Sequence, residues 1–115
     1  MRVVDRNSRI KLDELLKMAE EMFGDLVKAV VDIARDMMVV DAELHADEEA
    51  LLIERGCDQN TLWGINLYPG LEGDDFVEFD SMINLRPSQG NRSRGVEDPG
   101  TRERIRRIVN DLVIR

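Results

Sequence analysis

Between Leu26 and Leu44 the apolar residues change period, and this change constrains the fold more than any other feature of the chain. Val27, Ala29, Val31 and Ile33 alternate with Lys28, Val30 and Asp32. Alternation places successive side chains on opposite faces of a strand. Beyond Arg35-Asp36, Met38, Val40, Ala42 and Leu44 alternate with Met37, Val39, Asp41 and Glu43. A connection this short joins antiparallel neighbours, so these runs predict a hairpin.

The segment before it has a helical period. Leu12, Leu15, Leu16, Ala19, Met22 and Phe23 form one apolar stripe, Asp13 and Glu14 suit the first turn, and Gly24 is the natural stop. Val3 and Val4 read as a short edge strand. A second helix is expected from about Glu48 to Arg55, capped by Asp47 and ended by Gly56. Two further alternating runs follow, Leu62 to Tyr68 and Phe76 to Asn84, with Pro69-Gly70 and Gly73-Asp74 marking the turn between them. Pro99 signals the last helix, whose stripe is Ile105, Ile108, Val109, Leu112 and Val113. The expected fold is α+β, a four-stranded and mostly antiparallel sheet of two hairpins with helices packed on one face, in the order αββαββα. Residues 1–115 are expected to form one domain, with a polar arginine-rich loop at 85–98.

The chain has 16 basic and 24 acidic residues, a net charge of −8. The charge is segregated: residues 1–85 carry −12 and residues 86–115 carry +4. An acidic body repels phosphate over most of its surface, so no general binding to duplex nucleic acid is expected. No apolar run approaches the ~18 residues of a membrane span, and the N-terminus lacks the apolar centre of a signal peptide. Cys57 is the only cysteine and has no cation beside it in sequence to activate a thiolate, so it is read as structural. A cytoplasmic protein fits these features.

The segment Leu85 to Asp98 is the most suggestive chemically. From Ser81 to Val96 there is no acidic residue. Arg86, Ser88, Gln89, Asn91, Arg92, Ser93 and Arg94 are gathered there with Gly90 and Gly95. Glycines let a backbone turn its N–H groups toward one point, and guanidinium groups match phosphate or carboxylate. The loop also leads into a helix N-terminus, a further anion site. These residues are therefore candidates for binding a small anionic, phosphate-bearing ligand. The spacing matches neither a Walker loop nor a dinucleotide fingerprint. A solvated loop, or arginines paired with the acidic body, accounts for the same composition.

The second candidate is the polar face of the sheet. Strand parity puts Asp41 and Glu43 on one outer face and Glu78, Asp80 and Asn84 on another, with His45, the only histidine, continuing the face of Glu43. Asn66 and Tyr68 share that side by the same parity. Carboxylates with an imidazole suit a hard cation or a general base. A solvated sheet face has the same composition.

Three stretches, Glu43-Leu44-His45-Ala46-Asp47-Glu48-Glu49, Leu62-Trp63-Gly64-Ile65-Asn66 and Ile83 to Asp98, resemble a family of short prokaryotic proteins of unknown function. The resemblance covers nearly the whole chain, first helix included, with the arginine-rich loop as its most specific part. It implies a single small domain and brings no activity, cofactor or catalytic residue. Three functions therefore stand as expectations: an anion-binding protein, a metal-assisted phosphoester enzyme using the sheet carboxylates, and a module that docks its basic loop on a second copy. Geometry separates them, since the enzyme needs a loop arginine to open into one pocket with Asp41, Glu43, His45 or Asp80.

Overall fold

A computed structural model describes residues 1–115. In chain order the elements are β1 (Arg2–Val4), β2 (Ile10–Lys11), α1 (Leu12–Glu21), β3 (Val27–Asp32), β4 (Met37–Val40), α2 (His45–Glu54), β5 (Leu62–Leu67), β6 (Val77–Glu78), α3 (Pro99–Leu112) and β7 (Val113–Ile114), with four short 3-10 turns between them. The main sheet has five strands in the order β1-β4-β3-β5-β6, every pair antiparallel. A separate parallel pair, β2 and β7, ties the two ends of the chain together.

The predicted hairpin is β3 and β4, with Ala29 opposite Val40 and Asp32 opposite Met37. Its turn carries Asp36 at φ +53, a left-handed conformation that aspartate tolerates better than most residues. Strand parity then divides the interior. Val27, Ala29 and Val31 of β3 join Trp63, Ile65 and Leu67 of β5 in a core with Leu15 and Ala19 of α1 and Ile105, Ile108, Val109 and Leu112 of α3. On the other face Val30, Val39 and Leu62 pack under Leu52 of α2 and Cys57.

Four expectations are corrected. The sheet has five strands rather than four, because Arg2–Val4 pairs along β4. The helices lie on both faces, because Leu52 of α2 belongs to the smaller cluster and not to the α1–α3 core. The strand beginning at Met37 stops at Val40: Asp41 has φ +73, which takes the chain out of the sheet before Glu43. The alternating run 76–84 yields only the two-residue β6, followed by a 3-10 turn over Met82–Asn84. Ser81 starts that turn by accepting from the Ile83 N–H at 3.3 Å, a local bond that competes with the ladder.

Helix ends follow local chemistry more closely. Gly24, at φ +97, closes α1 with its N–H on Ala19 O. Asp98 caps α3 by accepting from the Thr101 N–H at 2.8 Å, and Pro99 is the first helical residue. α2 begins earlier than expected, at His45, with Asp47 inside its first turn.

Candidate functional site

The loop 85–98 is held together by its own polar side chains. Arg86 donates to the carbonyls of Ile83 (3.2 Å), Gln59 (2.9 Å) and Leu62, and its guanidinium lies 4.3 Å from the centroid of the Trp63 ring. Asn91 is buried and its amide nitrogen serves three carbonyls, those of Asn84 (2.7 Å), Ser93 (3.2 Å) and Gly95 (2.8 Å). The N–H groups of Arg92 and Ser93 do converge on an anion, as a glycine-rich loop predicts, but that anion is the carboxylate of Glu97 in the same loop. The clue was one residue beyond the acid-free run. Ser88, Gln89 and Arg92 are exposed, and of the seven loop candidates only Arg94 lines a cleft.

The sheet-face candidates also divide. Glu78 accepts from the Asn66 amide at 2.8 Å and from the Tyr68 hydroxyl at 3.1 Å. Asn84 is buried against the backbone of Gly64. Asp41 and Glu43 lie on the connection leaving β4 and do not reach the cleft. His45 is not on a strand face, which is a correction. It opens α2, where the ring is buried and Nε2 meets Ile65 O at 2.8 Å. Asp80 accepts from Arg94 Nε at 2.7 Å. His45, Asp80 and Arg94 thus meet in one cleft. No group of three or more His, Cys, Asp or Glu side chains is placed to hold a metal ion.

That cleft, about 320 Å³ in volume, opens between the start of α2, strands β3 and β5, and the 80–83 segment. Register builds its floor: Lys28 on β3 stands opposite Asn66 on β5, which stands opposite Glu78 on β6. Its rim is apolar and open, with Phe23 40%, Leu44 56% and Met82 61% exposed. Exposed hydrophobic residues gathered around convergent polar groups are the usual dress of a ligand site. Lys28 lies 5.0 Å from the centroid of the Phe23 ring and joins no ion pair.

Two further features sharpen the electrostatics. Leu44, the N-cap of α2, has no polar side chain to bond the first turn, and the N–H groups of His45 and Ala46 at the cleft have no acceptor within the protein. An uncapped helix start carries partial positive charge. Asn66 is buried, and its side-chain amide lies beside the His45 imidazole. Burial holds the His45 imidazole below its ordinary pKa range, against the opposing pull of the Ile65 carbonyl, so the ring is neutral at pH 7. With the proton placed on Nε2 for Ile65, Nδ1 is an acceptor.

Two arginines are matched at a distance from this cleft. Arg6 pairs with Asp111 at 3.1 Å and Arg104 with Asp36 at 2.9 Å, around a smaller hollow. Burial, then the neighbouring Asp32, pushes the Cys57 thiol up to about 11, which makes it a poor nucleophile.

Fold and site together define a small α+β protein with three helices, a mostly antiparallel sheet, and an amphipathic cleft over the polar end of that sheet. The chain belongs to the family described as "Protein of unknown function (DUF5674)", whose model matches residues 3–112. This bears out the resemblance to a family of unknown function. No curated protein and no solved structure matches the chain. No helix is long and apolar enough to cross a membrane.

Proposed function

We propose that this protein binds a small phosphate-bearing anion in the cleft at the start of α2, with Arg94 as the one member of the arginine-rich loop that reaches it. The observation carrying this reading is the meeting of Arg94, Lys28 and the uncapped first turn of α2 around one opening. Asp80, the only carboxylate lining the cleft, engages Nε of Arg94 and leaves its two terminal nitrogens free of any protein partner. Those nitrogens are suited to bidentate contact with a phosphate or carboxylate. Lys28 adds a flexible point charge, and the His45 and Ala46 N–H groups add fixed donors. A cytoplasmic setting and a small-molecule partner, rather than duplex nucleic acid, accompany this reading.

The test is calorimetric titration with inorganic phosphate and with ribose 5-phosphate at low ionic strength. Arg94→Gln and Lys28→Gln should each weaken binding about tenfold, the loss expected for one charge-assisted contact of about 1.5 kcal/mol. Circular dichroism should show both variants folded. Undiminished affinity in both variants would place the site elsewhere.

A further inference from the structure

Building on the anion reading above, we infer that the cleft takes a doubly charged oxyanion together with a proton, which the His45 imidazole accepts as the anion binds, so that affinity rises as pH falls through neutrality. The ring lines the same cleft as Lys28, Asp80 and Arg94 and is buried. Its Nε2 lies 2.8 Å from Ile65 O, where two lone pairs would repel, so the proton of the neutral ring sits on Nε2. The Asn66 side chain lies beside the ring. Its nitrogen donates to Glu78 at 2.8 Å and to the Asp80 carbonyl at 3.4 Å, so Oδ1 is the amide atom left to accept. Ile65 O and Asn66 are both acceptors toward the ring, and only the imidazolium has an N–H for each.

Without an anion, burial keeps the second proton off the ring, and the Lys28 ammonium on β3 repels it. The Ile65 carbonyl, Asp80 and Asn66 favour the charged ring but do not prevail, and Asp80 is itself engaged by Arg94 at 2.7 Å. Glu78 of β6 lies behind Asn66, and Glu48, one turn along α2, keeps its proton to about pH 10 and brings no charge. An anion at Lys28 and Arg94 reverses the balance. It neutralises the ammonium and sets negative charge in the cleft that the ring lines. An opposite charge within about 4–6 Å moves a pKa by about 1–3. By linkage, a ligand that raises the affinity of His45 for a proton binds more tightly where the ring is protonated. Lys28, Arg94 and Asp80 leave one positive charge in the cleft, and the imidazolium makes it two. That total complements sulfate or a phosphate monoester.

The experiment uses sulfate, which keeps both charges from pH 5.5 to 8.5 and adds no titration of its own. The His45 C2–H resonance of the full chain is titrated in saturating sulfate and, at matched ionic strength, in chloride. The midpoint should lie higher in sulfate by about 1 or more. Calorimetry should show sulfate affinity rising by about threefold or more from pH 8.5 to 5.5, and His45→Gln should lose most of that rise. The resonance is read on the unaltered protein, so the test stands whether or not His45→Gln folds. Sulfate that binds without moving the midpoint overturns the proton coupling and leaves the anion site standing. Phosphate binding without sulfate binding would mean that the ligand must bring the proton itself, which overturns the role of His45. If neither anion binds, the anion site falls, and this inference with it.

Discussion

The side-chain amide of Asn84 pairs with both backbone polar groups of Gly64, accepting from its N–H at 2.8 Å and donating to its carbonyl at 2.9 Å. It occupies the position on β5 that a longer β6 would have filled. Asn84 also donates to Arg94 O at 2.9 Å, so one amide joins the central sheet to the segment that carries the arginine of the cleft.

Gly64 is the partner this arrangement requires. A Cβ there would lie 2.5 Å from Cβ and 2.6 Å from Oγ of Ser81, and 3.1 Å from Ile83. Gly64→Ala should therefore destabilise the protein by about 2–3 kcal/mol, as overpacking of a close contact does. Urea denaturation measures it. A change within about 0.5 kcal/mol would mean that the 81–84 segment shifts freely and is not seated on the sheet.

The arginines of the loop should behave unequally. Arg86→Ala removes a guanidinium that serves three carbonyls and covers the Trp63 ring, and should cost about 3 kcal/mol. Arg86→Lys should recover little of it, because an ammonium cannot reproduce the planar fork. Arg92 is exposed, its side chain forms no ion pair, and its truncation should change stability by no more than about 0.5 kcal/mol. Equal losses for Arg86→Ala and Arg92→Ala in chemical denaturation would contradict this division.

Asn91→Ala should loosen the whole loop. The Asn91 amide serves three carbonyls and accepts from the Glu97 N–H at 2.9 Å, so its loss leaves several backbone groups unpaired. Hydrogen exchange of residues 86–97 should accelerate by tenfold or more while the β3–β4 amides stay protected. Unchanged protection in the loop would show that Asn91 is dispensable.

Glu48 gives stability a pH dependence. It is fully buried on α2, and burial pushes its pKa up from 4.5 to about 10, the Ala42 backbone N–H opposing only weakly. The unfolded chain releases this proton near pH 4.5, whereas the folded chain retains it until about pH 10. Folding takes up a proton between these values, so stability falls as pH rises through that window. By pH 7 the loss is on the order of 3 kcal/mol relative to acid conditions. Glu48→Gln should raise stability at pH 7–9 and flatten its pH dependence. Parallel denaturation curves for the two proteins across pH 6.5–9 would refute this.

His45 acts in the opposite sense. Its folded pKa is lowered by burial, so the unfolded chain takes up a proton first as pH falls below about 6.5. Its contribution to stability is present above that pH and is lost below it. Because the chain has one histidine, its imidazole C2–H resonance can be followed without ambiguity. The NMR titration should show a midpoint below 6.5 in the folded protein; a midpoint at or above 6.5 would mean that the ring is solvated.

The elements read most directly from the sequence are those whose signal lies in neighbouring residues. The β3–β4 hairpin, the stripe of α3 and the Gly24 stop follow from periodicity and backbone freedom, which act within a few residues. The same reasoning found Arg94, His45 and Asp80 as separate suspects. It overextended β6, because alternation does not reveal that a serine will turn the chain by bonding its own backbone. It passed over Lys28, whose positive charge in a mostly apolar strand was the available clue.

Only the tertiary structure decided which of those residues meet. β3–β5 register sets Lys28 opposite Asn66, and α2, packed on that same face of the sheet, brings His45 onto Ile65 O. Arg86 and Arg94 stand in the same loop with the same chemistry, yet one is engaged by carbonyls and the other opens into the cleft. Composition determined that the loop would be rich in donors. Which acceptor each donor finds depends on distances across the sheet, and those exist only once distant strands have paired.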